Sequence, residues 1–468
     1  MTPPADARTN DAHVEAVPTA MPTRTPEARL PWGVTVVYSL PTVGVGFMFF
    51  LVTIYLMKFS TDVLLIAPAA MGLIFGIARL WDAVSDPVAG YLSDRTRTRL
   101  GRRRPWLLAS LLPIGLFFLM IWTPPAALQG PWLVTWMAIA IFGFYSAMTI
   151  LIVPHASLGA ELTSNYHDRT RVFAVRQVGW NLGAFLSLAA MFLLIGSTAP
   201  RATAVWVGAV AALITGGLIL YATIRLSERE EFQGRGAANP YAAFADVWRN
   251  PHARLLLLVF LIESIGGATI GILTPYVAQY IVGTPELTTL YIGLYMLCAT
   301  VSVPVWLPLS RTFGKKKLWL FSMALTALGF GGMFFLRQGD VWPISILAVI
   351  LGVAAGCGNI IAPSIQADII DYDEYRTGER KEGAYFAAWN FVFKGATGIT
   401  VVLTGFVLQL SGFTPNVEQA EAAKLALRIL YAIFPLVCYG AGALIFLRFR
   451  LNEHEYDEIR TALDGRSG

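Results

Sequence analysis

Two carboxylates four residues apart in an otherwise apolar stretch are the first feature of this sequence with a chemical consequence. Residues 78–90 read ARLWDAVSDPVAG, and the helical period places Asp82 and Asp86 on one face. At membrane depth each charge costs ~2.5–3.5 kcal/mol or more, so the pair predicts a polar cavity with a cation or proton between the two acids. Ser85 adds a hydroxyl, and Pro87 leaves a backbone carbonyl one turn back without its usual donor. Ligation by oxygen alone suits a hard ion such as sodium, which makes Asp82 and Asp86 candidate sodium ligands. A plain salt-bridge lock with Arg79 is the competing reading. Lys394, in NFVFKGATG at 390–398, is the second charge in an apolar segment and the expected partner of those acids. Arg176, Gln177 and Asn181 polarise one face of another segment, and Glu263 lies in LIESIGGATIG, where glycines permit bending. Together with Trp389, Asn390 and Lys394 itself, these residues form the expected substrate-contacting set; for Trp389, simple core packing is an equal reading.

The elements that must position these groups are membrane helices. The chain has 468 residues, of which 56% are hydrophobic and 14% charged, with a mean hydropathy of +0.58; a soluble domain carries roughly 25% charged residues. Apolar segments long enough for a ~30 Å core, about 20 residues each, occur near 34–57, 66–92, 105–123, 132–155, 172–196, 203–225, 253–281, 288–309, 317–337, 342–365, 384–411 and 424–448. The expected architecture is therefore an all-α membrane protein of twelve spans. Cys298, Cys357 and Cys438 lie inside apolar stretches without metal-ligand spacing and read as small buried hydrophobes. Of the five histidines, His155 alone lies near a helix end, where packing is the simplest role.

Loop charge sets orientation. Arg95, Arg97, Arg99, Arg102, Arg103 and Arg104 follow the second segment, and Arg311, Lys315, Lys316 and Lys317 follow the eighth, whereas 124–131 and 282–287 contain no Lys or Arg. Even-numbered loops are thus expected in the cytoplasm of a cell whose inner membrane the chain crosses, with both termini on that side. The net charge of +5 reads as topology, not as affinity for nucleic acid. Residues 92–107, LSDRTRTRLGRRRPWL, recur in shortened form at 309–320 as LSRTFGKKKLWL, each after the second helix of a six-helix half. The expected division is a polar tail at 1–30, a bundle at 31–225, a cytoplasmic linker at 226–252, a second bundle at 253–448 and a tail at 449–468, without a cleavable signal peptide.

The segment GYLSDRTRTRLGRRR at 90–104 resembles the loop signature of the major facilitator superfamily, which implies a cytoplasmic gate involving Asp94, Arg95, Arg102 and, in the second half, Arg311. From about residue 34 to 450 the chain resembles the glycoside–pentoside–hexuronide:cation symporters, the melibiose permease-like group. The resemblance is carried by YLMKFSTDV at 55–63, RLWDAVSDP at 79–87, VPHASL at 153–158, ADIIDYDEY at 367–375 and KGA at 394–396. It implies that Asp82 and Asp86 bind the coupling cation, that Thr149 joins Ser85 in that site, and that Arg176 and Lys394 match the helix-five Arg and helix-eleven Lys. The departures are Ser85 for an Asn, and Gly46, Ile152 and Ala156 where the family has two sugar-gripping Asp residues and a stacking Trp. A galactoside is therefore not expected. A related branch, resembling sodium-dependent lysophospholipid symporters, keeps the Asp pair and the Lys and makes an amphipathic ligand the alternative.

Alternating access of two halves about a midplane site follows from this plan. An enzyme would need a nucleophile–base set, a metal cluster or a phosphate loop; the sequence has no His-Glu-x-x-His, no Cys pair and no phosphate-loop motif. A transport-dead sensor is disfavoured by the intact charge set. The expected partners are a small-molecule substrate and the lipid bilayer, with no cofactor beyond sodium or proton and no nucleic acid, for a chain working as a monomer.

Overall fold

A computed structural model describes residues 29–163, 166–228, 247–378 and 382–449. The described residues are helical, apart from loops and one isolated bridge between Thr98 and Gly101. In chain order the rods are α1 (Trp32–Asp62), α2 (Pro68–Arg95), α3 (Arg104–Trp122), α4 (Gly130–Glu161), α5 (Tyr166–Ile195) and α6 (Pro200–Arg225). They continue as α7 (Pro251–Val282), α8 (Pro285–Val301 and Val303–Phe313), α9 (Lys315–Met333), α10 (Val341–Thr377), α11 (Glu382–Leu410) and α12 (Glu421–Phe446). Among the described residues nine helices are long and apolar enough to cross a membrane, and the two pieces of α8, bent by 48°, form a tenth. The remaining two rods, α2 and α9, are the ones that carry Arg79, Asp82 and Asp86 and the Lys315–Lys317 triplet. Several rods overrun the expected segments. Asn250 starts α7 earlier than predicted, its side chain accepting from the backbone N–H groups of His252 and Ala253 at 3.0 and 3.4 Å, a helix cap of the usual kind. The tails at 1–28 and 450–468 and most of the linker, 229–246, lie outside the described residues.

Large apolar side chains point outward along the rods, Leu112, Leu213 and Leu410 among them. With lipid as solvent, the helices are held by close packing and not by hydrophobic collapse. Small residues make that packing possible. A Cβ at Gly183 would stand 2.0 Å from the Val43 carbonyl oxygen, and one at Gly46 would stand 2.5 Å from that of Trp180, so α1 and α5 meet backbone to backbone. The seam between α2 and α11 is built the same way: a Cβ at Gly405 would lie 2.4 Å from the Pro68 carbonyl and one at Gly72 2.9 Å from that of Val401.

This seam crosses the boundary between the first six rods and the last six. Further bonds cross it at the end where α1 finishes and α2 begins. Tyr280 donates to the Asp62 carboxylate (2.6 Å), Thr61 and Tyr276 share a hydroxyl contact (2.8 Å), and Asn416 donates to the Asp62 carbonyl (2.7 Å). Lys58, beside the Tyr276 and Tyr280 rings, pairs with Asp62. The halves are thus closed at the end away from the start of α1 and the end of α12.

Candidate cation and substrate site

The middle of α2 presents its acids to α4 and α11. Asp82 is buried, and Asp86, one turn further on, has a side chain 29% exposed. The Thr149 hydroxyl on α4 lies 3.0 Å from Asp82 Oδ1 and 3.1 Å from Asp86 Oδ1. A hydroxyl has one proton, so it bonds one carboxylate at a time and sits equally ready for either. Ser85 completes the oxygen cluster, 3.2 Å from Thr149 Oγ1 and 3.2 Å from the Asp82 carbonyl. From α11, across the seam, Lys394 Nζ reaches Asp86 Oδ2 at 2.6 Å and Asp82 Oδ2 at 2.9 Å. Its ammonium stands between the two acids, where a metal cation would be coordinated. The neighbouring donors are two carboxylates and two hydroxyls, a set suited to a hard ion.

Arg79 makes the pairing with Asp82 that the sequence offers, and more besides. Its guanidinium is 3.7 Å from Asp82 and lies 4.9 Å from the ring centres of both Phe49 and Tyr145, geometry in which the π faces help to hold the charge. It lines a cavity of about 390 Å³ that Phe49 and Phe50 bound from the first half and Phe260, Glu263, Asn359 and Tyr439 from the second. The volume falls within the range of small-molecule sites.

The remaining sequence-derived candidates are dispersed. Glu263 lines this cavity, whereas Arg176, Gln177 and Asn181 are not among its lining. Arg176 lies toward α1 and α4: its carbonyl accepts from Thr42 at 3.1 Å, its Nε is buried without a hydrogen bond, and its charge acts on Tyr38 and His155. Gln177 donates to Asn181 at 3.0 Å on an exposed face. Trp389 stacks on Phe260, ring centres 3.9 Å apart, packing within the second half, and Asn390 is exposed. His155 is buried, stacked on Tyr38 at 4.3 Å, with its Nε2 2.8 Å from the Tyr38 carbonyl oxygen.

At the other end of α2 the basic loop is knitted into its own half. Arg103 pairs with Asp94 and, at 3.1 Å, with Glu161, and donates to Ser93 at 2.6 Å; Arg102 pairs with Glu161 at 2.7 Å. The Glu228 carboxylate receives the backbone N–H groups of Arg102, Arg103 and Arg104 at 2.7, 2.8 and 2.6 Å, satisfying the donors at the start of α3. Gly101, at φ +102°, passes so close that a Cβ there would lie 2.4 Å from that carboxyl carbon. The second half repeats the device: Gly314 has φ +79° before the Lys315–Lys317 triplet, and Lys315 binds Asp368 on α10 at 2.6 and 2.8 Å. Arg95 lies over the Tyr91 ring at 4.0 Å, and Arg311 is exposed. Sequence reasoning alone misses the acids Glu161, Glu228 and Asp368. The signal that could find them is the basic runs themselves, which need carboxylates from neighbouring helix ends.

Comparison with known proteins places this geometry. The chain is 30% identical over 444 residues to the uncharacterized symporter YjmB of Bacillus subtilis (strain 168), covering 92% of this chain and 95% of that one. It is 27% identical over 436 residues to the isoprimeverose transporter of Lactiplantibacillus pentosus, covering 91% and 90%. A solved structure of the nucleoside transporter NupG superposes with a TM-score of 0.65 at 13% identity, over 89% of this chain and 99% of that one, a likeness of fold. The fold is that of the major facilitator superfamily, and, since residues 37–453 match it, the chain belongs to the MFS/sugar transport protein family.

Proposed function

We propose that this chain is a cation-coupled symporter of a glycoside, pentoside or uronide that works by alternating access. The observation carrying this reading is the Lys394 ammonium held between Asp82 and Asp86 across the seam of the two halves. A cation entering among Asp82, Asp86, Ser85 and Thr149 competes with that ammonium, so ion binding and the contact between α2 and α11 are one event. Coupling follows: ligands that favour different arrangements of one contact are linked through it. Sodium fits the oxygen donors; a proton on one carboxylate weakens the same contact by neutralising it.

The closed end lies opposite the start of α1 and the end of α12, so with those ends toward the cytoplasm the carrier is closed on its outward side. The positive-inside pattern supports that orientation, with twelve spans in two halves, 31–225 and 253–448, in an inner membrane and acting as a monomer. Asp94, Arg95, Arg102 and Arg311 then sit at the cytoplasmic ends, where a gate belongs.

The reading is tested in proteoliposomes with p-nitrophenyl glycosides and glucuronides under sodium or proton gradients. Asp82→Asn and Asp86→Asn should each abolish concentrative uptake with normal insertion. Full accumulation by the double Asn variant, or uptake indifferent to both gradients, overturns it.

A further inference from the structure

The cavity between the halves has two charged residues in its wall, Arg79 and Glu263. Arg79 is already engaged with Asp82 and two aromatic rings. Glu263 is 8% exposed, lines the cavity, and among the described residues no hydrogen bond or ion pair reaches its carboxyl group. Its electrostatic neighbours on α12 and α10 are Tyr439 and Cys357, neither of them a basic side chain. Gly442 makes room for it, since a Cβ there would lie 3.3 Å from Glu263 Cγ.

The carboxyl oxygens open on the cavity, so their hydrogen-bond partner comes from whatever fills it. Such a group in a cavity wall gains its partner when a ligand enters. The surrounding wall says what that ligand brings. Asn359 and Tyr295, in the same wall, also make no side-chain hydrogen bond among the described residues, and Phe260 and Phe393 present aromatic surface beside them. A pyranose or pentose ring satisfies all three features: hydroxyls for the carboxyl group, further hydroxyls for the amide and phenol, and a C–H face for the rings. A quaternary ammonium would meet the carboxylate and the aromatics but leave the amide and phenol unpaired.

We propose that Glu263 is the hydroxyl-anchoring group of a sugar subsite in the second half of the molecule, with Asn359 and Tyr295 as its polar neighbours and Phe260 and Phe393 as its stacking surface. The subsite rests on the symport reading and deepens it. It also supplies a grip that the first half lacks at Gly46, Ile152 and Ala156.

The test is equilibrium binding to purified full-length protein, in sodium and at acidic pH, of p-nitrophenyl β-xyloside, p-nitrophenyl β-glucuronide, their singly deoxygenated analogues, and lysophosphatidylcholine. Glu263→Gln is isosteric and removes no partner, so the fold should be retained, as a melting curve checks. Its Kd for the glycoside should rise about 10- to 100-fold, the loss of the carboxyl group's hydrogen bonds to the sugar, while the sodium concentration for half-maximal stimulation stays unchanged. One deoxy analogue should bind weakly to the wild-type protein and show no further loss with Glu263→Gln. If the Gln variant fails to fold, Glu263→Asp, which retracts the carboxylate, should raise Kd in its place. An unaltered Kd overturns the subsite and leaves symport standing. Wild-type protein that binds no glycoside in either condition overturns the symport reading and the subsite with it. Glu263-dependent binding of lysophosphatidylcholine alone replaces the hydroxyl anchor with an ammonium site.

Discussion

Removing Lys394 should hurt less when Asp86 is removed with it, and the structure says why Asp86 matters more here than Asp82. Lys394→Ala takes the cation from both acids. Asp82 keeps Arg79 at 3.7 Å, whereas no other salt bridge reaches Asp86 among the described residues. Breaking a buried pair by deleting one partner costs about 3–5 kcal/mol. The Asp86 side chain is 29% exposed and that of Lys394 20%, so water recovers part of this, and about 2 kcal/mol is the reasoned loss for Lys394→Ala. Asp86→Asn alone leaves Lys394 with Asp82 at 2.9 Å and should cost about 1 kcal/mol. The double variant should then be at least about 1 kcal/mol more stable than the sum of the singles, and the corresponding cycle with Asp82→Asn should show a smaller coupling. Denaturation in detergent micelles, followed by tryptophan fluorescence, supplies all the corners. Additivity within about 0.5 kcal/mol in the Asp86 cycle would mean that the ammonium and that carboxylate do not meet, and the argument for ion exchange at this contact would fall.

Two further outcomes follow from the packing. Gly46→Asp, which restores the family's helix-one acid, should give no galactoside binding and little folded protein, because even its Cβ stands 2.5 Å from the Trp180 carbonyl. Gly46→Ala should already cost about 1–3 kcal/mol, and a wild-type melting temperature for the Ala variant would contradict the backbone contact of α1 and α5. Glu161→Ala strips Arg102 and Arg103 of their shared acceptor and should destabilise by about 3 kcal/mol, with Arg103→Ala on top costing less than it does alone, though it still breaks the contacts with Asp94 and Ser93. Equal and additive losses in a denaturation cycle would show that the cluster is not a unit.

The helical class and the acid–lysine constellation are legible in the sequence because a charge inside an apolar segment has few places to go. Asp82, Asp86 and Lys394 must find one another or a cavity, and α2 and α11 bring them together. Partner identity is legible only where the choice is that narrow. Arg176 is an intramembrane cation of the same kind, yet its surroundings are Tyr38, Thr42 and His155 and not the cavity, a matter of helix rotation that periodicity alone leaves open. For Arg79 the sequence offers only a neighbour one turn away, while its aromatic partners, Phe49 and Tyr145, come from other helices. At Gly46 the sequence shows a missing sugar-gripping acid; the packing shows why no side chain fits there, with the α5 backbone in its place. The shortened repeat at 309–320 does carry structural information. Its glycine and basic triplet reproduce the left-handed turn and the helix start of the first copy, with the acid supplied each time from the fourth helix of its half.

A tethered ammonium between two carboxylates has a consequence for energy supply. Counted formally, Asp82, Asp86, Arg79 and Lys394 sum to zero. A carrier in that condition reorients without dragging charge through the bilayer field, so its empty return stroke is insensitive to voltage. If sodium is the coupling ion, the same group sums to plus one when loaded, and an inward loaded stroke would move one elementary charge. Each such charge draws about 2.3 kcal/mol from a membrane potential of about 100 mV. On the symport reading the lysine would be an internal stand-in for the ion, confining the electrical work to the half of the cycle that carries cargo. Uptake should therefore generate an inward current on a solid-supported membrane and accelerate with an inside-negative potential.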